Sequence, residues 1–119
     1  MLFDKKVFVT GGSFQDKAYR STEIIDIGEN GDLNIRKGDD LNVARKNHGM
    51  GIVTIDNRPT LISIGGDTGD IGVDKLKSIE IWNSTSESWN ISSNLMLKNV
   101  RAYFSFATFP TEFLCRRKK

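Results

Sequence analysis

Few residues in this chain have side chains suited to catalysis, and they are scattered. His48 is the only histidine and Cys115 the only cysteine. A general base needs a proton partner within hydrogen-bond reach, and a thiol nucleophile needs a base beside it. Neither residue has such a neighbour in sequence. Asp67-Thr68-Gly69-Asp70, with Asp74, offers oxygen ligands. It lacks the alternating acids and closing glutamate of a calcium loop, and it reads as a solvated loop. Gly38-Asp39-Asp40 is explained by turn chemistry. No glycine-rich phosphate loop of either common pattern occurs. No catalytic residue, metal site or cofactor is therefore expected. Asn83-Ser84-Thr85 and Asn90-Ile91-Ser92 match a glycosylation acceptor and are expected to stay unmodified turn residues.

Composition narrows the class. The 119 residues are 38% hydrophobic and 27% charged, enough for one modest core. The net charge of +2 gives no broad basic footprint, so no nucleic-acid partner is expected. The basic excess lies in Arg116-Arg117-Lys118-Lys119, which reads as a solvated tail rather than a nuclear address. One cysteine excludes an internal disulfide. No run approaches the roughly 18 apolar residues of a membrane span, and residues 1–6 lack an apolar signal-peptide stretch. A cytoplasmic protein without a membrane partner is the expectation.

The elements that would position any site are strands, because no window keeps the apolar spacing of a helix over three turns. One segment occurs twice. Val7-Phe8-Val9-Thr10-Gly11-Gly12 is matched by Leu61-Ile62-Ser63-Ile64-Gly65-Gly66. After each glycine pair come a polar loop and a second apolar run, around Glu23 and around Glu80. A short third segment and an arginine follow, Arg45 and then Arg101. The predicted strands cover residues 7–10, 23–27, 33–36, 51–56, 61–64, 78–83, 88–91 and 103–109. Asn57-Arg58-Pro59 reads as a turn. A period of this length, built of short strands, reads as a β-propeller blade.

On these residues the chain resembles the kelch repeat family. The matches are Gly11, Gly12, Gly65 and Gly66, then Glu23 and Glu80, then Trp82 and Trp89, and the stretch Arg45, His48 and Gly49. In the first repeat Ile25 and Leu33 take the two aromatic places. The resemblance implies an all-β fold of antiparallel four-stranded blades. Residues 1–109 form the repeat region: a partial blade over 7–36 that lacks its first strand, a complete blade over 51–92, and a lone strand over 103–109. Residues 110–119 form the basic tail. Large apolar side chains would fill the space between blades, and Glu23, Glu80, Arg45 and Arg101 would support strands or loops by charge-assisted hydrogen bonds.

The function the resemblance implies is protein–protein interaction, without catalysis. Loops around the glycine pairs and after the last strand line one face of such propellers. The candidates on that face are Arg45, Asn47, His48, Arg101 and Tyr103, with Ser13, Phe14, Gln15, Asp67 and Asp70. For Arg45 and Arg101 a supporting role within a blade stands beside this one. Relatives serve as substrate-recognition adaptors of cullin-type ubiquitin ligases or as actin-associated scaffolds. No BTB-like or BACK-like helical segment occurs here, so an adaptor role rests on the resemblance alone, and the favoured expectation is a fragment of a longer kelch protein. Two alternatives stand beside it. A copper-oxidase-like propeller needs several histidines, and this chain has one. A non-functional structural remnant binds nothing. Propellers close with 4–8 blades, so about two blades leave edges exposed through which copies could self-associate.

Overall fold

Two-residue turns organise the first half of the chain. In the computed structural model, which describes residues 1–69 and 76–103, Asp4-Lys5, Gln15-Asp16 and Asp56-Asn57 all have positive φ at both positions. That is the backbone of the tight hairpin whose twist matches the strands it joins, and Asp and Asn tolerate it well. The described residues form ten strands: β1 Leu2–Phe3, β2 Lys6–Thr10, β3 Ser13–Phe14, β4 Lys17–Ala18, β5 Thr22–Ile27, β6 Leu33–Lys37, β7 Gly49–Ile55, β8 Arg58–Ile64, β9 Ser78–Asn83 and β10 Ser88–Met96.

The fold is all-β, with no helix among the described residues. The strands make two antiparallel four-stranded sheets, in order β1-β2-β5-β6 and β10-β9-β8-β7, and one small hairpin, β3-β4. The first sheet does not lack its first strand, as the sequence reading expected. Leu2–Phe3 occupies that place, with Leu2 opposite Val7 and Phe3 opposite Lys6. The Met1 ammonium donates to Phe8 O, and Phe8 N donates to Met1 O, both at 2.7 Å. A strand of two residues is too short to show alternation, which is why the pattern hid it.

The predicted turn at Asn57-Arg58-Pro59 moves one residue back, to Asp56-Asn57, and Pro59 lies inside β8. Ile55 faces Arg58 across the two-residue turn, and Thr54 faces Pro59. Pairs alternate between hydrogen-bonded and non-hydrogen-bonded along an antiparallel ladder. The turn-closing pair is bonded, so Pro59 falls at a non-bonded place and its missing N–H removes nothing.

The core lies between the sheets. Phe8, Ile24 and Leu41 from the first half meet Leu61, Trp82 and Trp89 from the second. The rings of Phe8, Trp82 and Trp89 form a chain of edge contacts, with centroids 5.1 and 5.2 Å apart. Such pairs add to the apolar burial itself. Trp89 Nε1 donates to Thr22 Oγ1 at 3.1 Å, so the indole's one polar atom is satisfied across the gap. The other face of the second sheet carries a separate cluster of Ile62, Ile64 and Ile79, with Leu97 packed against it.

The first sheet's aromatic places differ from expectation. Trp82 faces Trp89, and by the same pairing Ile25 faces Ile35, not Leu33. Ile25 and Ile35 lie on the face turned away from the core. Ile35 is 65% exposed and Leu33 68%. Neither isoleucine fills the space between the two sheets, because Ile24 does so from the opposite side of β5. Tyr103 lies in no strand, and the predicted strand over 104–109 and the tail fall outside the described residues. At the far side Arg36 bridges Asp26 at 2.7 Å and Glu87 at 3.0 Å, tying β6 to the β9–β10 turn. Its guanidinium holds the Asp26 carboxyl below the usual range. At this exposure the bridge contributes little.

Trp82 is the ring through which the sheets touch. Trp82→Ala should destabilise the fold by about 3–5 kcal/mol, read as a lower urea midpoint. A loss under about 1 kcal/mol would contradict a core shared between the sheets.

Candidate partner-binding face

Each glycine pair ends its strand in the same backbone conformation. Gly11 and Gly65 have φ of 64°, and Gly12 and Gly66 have φ of 90°. Glycine adopts this region without a side-chain clash. Close approach adds a second reason. A Cβ at Gly11 would strike Arg45 O, and one at Gly66 would lie 2.6 Å from Lys46 O and 2.7 Å from His48 Cβ.

The pairs also hold the arginine segments by matching hydrogen bonds. Gly12 N donates to Arg45 O at 2.8 Å, and Gly66 N donates to Arg101 O at 2.7 Å. Arg45 N donates to Tyr19 O, and Arg101 N donates to Leu76 O. The repeat is therefore present in individual backbone bonds.

Arg45 thus starts at the end of the first sheet and sends its side chain into the second. Its Nε and Nη2 donate to Glu80 Oε2 at 3.1 and 3.0 Å. Its Nη1 donates to Gly65 O at 2.9 Å and to Ser78 O at 3.0 Å, and its Nη2 to Ser78 Oγ at 2.8 Å. Glu80 Oε1 accepts from Asn42 N at 2.6 Å and Asn42 Nδ2 at 2.9 Å, and Oε2 accepts from Val43 N at 3.2 Å. Both side chains are 0% exposed. Burial lowers the guanidinium's pKa from its ordinary value, and Glu80 only partly opposes that shift.

Arg45 is therefore not a partner contact: every donor is engaged and no solvent reaches it. It supports the structure, between sheets rather than within one blade. Asp67 is also withdrawn from the proposed face. It is 3% exposed, and its carboxylate accepts from Asn47 Nδ2 and Gly69 N, with Lys46 Nζ at 3.9 Å. His48 is half-buried beside both glycine pairs, with Nε2 3.1 Å from the Thr10 hydroxyl. Burial, aided by the Arg45 charge and opposed by Glu80, lowers its pKa to about 4. Glu23 does not act like Glu80. It is exposed and has no ion pair among the described residues.

The remaining candidates do come together at this end. The β3–β4 hairpin presents Phe14, 63% exposed, with Ser13 and Gln15 also exposed. Lys46 Nζ reaches Asp16 O in that hairpin at 3.4 Å, and Lys46 pairs by backbone with Asp67. Asn47 O accepts from Tyr103 N at 3.1 Å, and Tyr103 is 76% exposed. Asp70 lies outside the described residues. Lys46 is the residue sequence reasoning did not rank, although it lies between Arg45 and Asn47. No group of three metal-ligating side chains occurs among the described residues, and no helix among them is long and apolar enough to cross a membrane. Neither the scan of protein-family models nor the search of curated proteins finds a match to this chain.

Removing Glu80 leaves the buried guanidinium without its counter-ion and the backbone N–H groups of Asn42 and Val43 without their acceptor. Glu80→Ala should cost about 3–5 kcal/mol of stability, measured by chemical denaturation. His48 makes a separate prediction. Unfolded, its imidazole titrates near 6.5; folded, near 4. Between those values only the unfolded chain takes up the proton, so stability is full above about pH 6.5 and falls toward pH 4 by up to about 3 kcal/mol. His48→Gln should flatten that slope, and an unchanged slope would assign it to other groups.

Proposed function

We propose that this chain is a pair of kelch-type propeller blades acting as a non-catalytic protein-binding module, with the loops around the glycine pairs as its contact face. The carrying observation is a pair of exposed aromatics, Phe14 and Tyr103, on loops tied to one another. Phe14 sits on a hairpin held through Lys46, and Tyr103 is bonded to Asn47. Asn47 and Tyr103 both have positive φ, at 54° and 55°. A bulky residue in that region is strained and stays there only where its surroundings hold it.

Aromatic side chains on preset loops bind with little ordering cost, and such anchors dominate interface energies. Lys46 and the backbone of Asp16 give the rim polar partners. The partner this suits is a peptide segment or loop with apolar side chains and acceptor groups. Adaptor duty in a cullin-type ubiquitin ligase, or an actin-associated scaffold, is the role that the family resemblance adds to this reading.

The test compares proteins retained by the wild type with those retained by Phe14→Ala and Tyr103→Ala, using quantitative mass spectrometry. Both side chains are largely exposed, so the melts should coincide. Partners of this face should drop about tenfold or more with either variant, as for a hot-spot truncation of at least 1.4 kcal/mol. A retained set identical across all three proteins would sink the reading.

A further inference from the structure

We propose that copies of this chain join head to tail, with Arg101 of one copy entering a socket on the first sheet of the next. The socket is a second version of the one Arg45 already fills. Arg45 is held by Gly65 O, by Ser78 through its carbonyl and hydroxyl, and by the Glu80 carboxylate. The first sheet repeats this set in Gly11, Ser21 and Glu23. The spacing Ser-x-Glu is the same in Ser21-Thr22-Glu23 and Ser78-Ile79-Glu80. Gly65 N donates to Ser78 O at 3.1 Å, and Gly11 N donates to Ser21 O at 2.9 Å. Val9 faces Glu23 as Ser63 faces Glu80. The acceptor atoms are thus held by the same backbone frame twice.

Among the described residues, only one of the two sockets is filled. Glu23 is exposed, and its ladder neighbour Val9 is 50% exposed. The donor is present as well. Arg101 is exposed, and its backbone is bonded as Arg45's is, to the second glycine pair. Neither Glu23 nor Arg101 makes an ion pair among the described residues. Among the described residues there are therefore a filled joint, an acceptor without an ion-pair partner and a donor without one, and these last two match in charge.

The apolar surroundings agree. Ile35 lies on the same outer face as Glu23 and is 65% exposed, and Val100 beside Arg101 is 46% exposed. On the second sheet the outer-face cluster of Ile62, Ile64 and Ile79 is already shielded within the chain. The new contact is therefore carried by Arg101 and its flanking residues rather than by that whole face. A donor site and a different acceptor site on one chain make a heterologous interface, which closes into a ring or continues as a filament. The joint lies on the outer face of the first sheet and not on the loop aromatics, so it and the proposed function can fail separately.

Light scattering of the full chain over a concentration series tests it. The wild type should exceed the 13.4 kDa chain mass as concentration rises. Glu23→Arg and Arg101→Glu should each stay monomeric, with self-association weakened about 100-fold, as when one partner of a buried pair is removed. Mixed together, the two variants retain one intact joint, the Arg101 of the first with the Glu23 of the second. They should form a dimer of twice the chain mass through that joint, and a larger species only where the two reversed charges also pair. Glu23→Gln, which keeps the side chain's size, reads the same joint if Glu23→Arg folds poorly. A wild type that stays at the monomer mass overturns the proposal. So does an oligomer that neither charge reversal affects, or a mixture of folded variants that gives no dimer.

Discussion

The buried Arg45–Glu80 pair is the constraint on which the arrangement of the two sheets depends. Removing both charges from water carries a desolvation penalty of several kcal/mol per ion, and attraction alone does not repay it reliably. It is tolerable here because every donor of the guanidinium and both oxygens of the carboxylate are engaged. The guanidinium meets two backbone carbonyls, a hydroxyl and a carboxylate, and the carboxylate meets the donors of Asn42 and Val43. The pair therefore adds specificity more than net stability. The planar arginine fork meets Glu80, Gly65 and Ser78 together, which ties the end of the first sheet to one place on the second.

The glycine pairs make that placement possible. Arg45 must leave the end of the first sheet with its carbonyl against Gly12 N, close enough that a Cβ at Gly11 would strike its oxygen. The duplication is consequently stricter in backbone bonds than in side chains. Phe8 corresponds to Ile62, Thr22 to Ile79 and Ile25 to Trp82, yet the bonds around Gly12 and Gly66 repeat with nearly equal lengths. Loops of different length between the strands leave those bonds intact.

Much of this was legible from residues. Alternation and the glycine pairs marked β2, β5, β8 and β9 to within a few residues, because a half-buried strand writes its faces into the sequence. Leu2–Phe3 was too short to show a pattern. The turn at Asp56-Asn57 was masked by the stronger local signal of Pro59. Leu33 was chosen over Ile35 because cross-strand register depends on the turn, and both residues are apolar. At the candidate site, the resemblance pointed to Phe14 and Tyr103, and both are exposed, although the sequence pattern places Tyr103 in a strand. Arg45 and Asp67 were misplaced. A charged residue is taken as exposed unless a partner is visible, and their partners lie 35 and 20 residues away in sequence.

The difference between the sheets' aromatic places bears on how firmly the outer face can bind. Trp82 and Trp89 reach across to Phe8, and Trp89 adds a hydrogen bond to Thr22. Ile25 and Ile35, at the corresponding places, have neither the reach nor the donor. At roughly 25 cal/mol per Å² of apolar area removed from water, two isoleucines give less contact than two tryptophans. A contact there rests more on the Glu23 carboxylate and less on the apolar surface. It must also overcome the loss of translational freedom that the joint within one chain never meets. The outer face is thus suited to a reversible, salt-sensitive association, and the inner one to a permanent core. That division follows from which of two equivalent strands carries tryptophan.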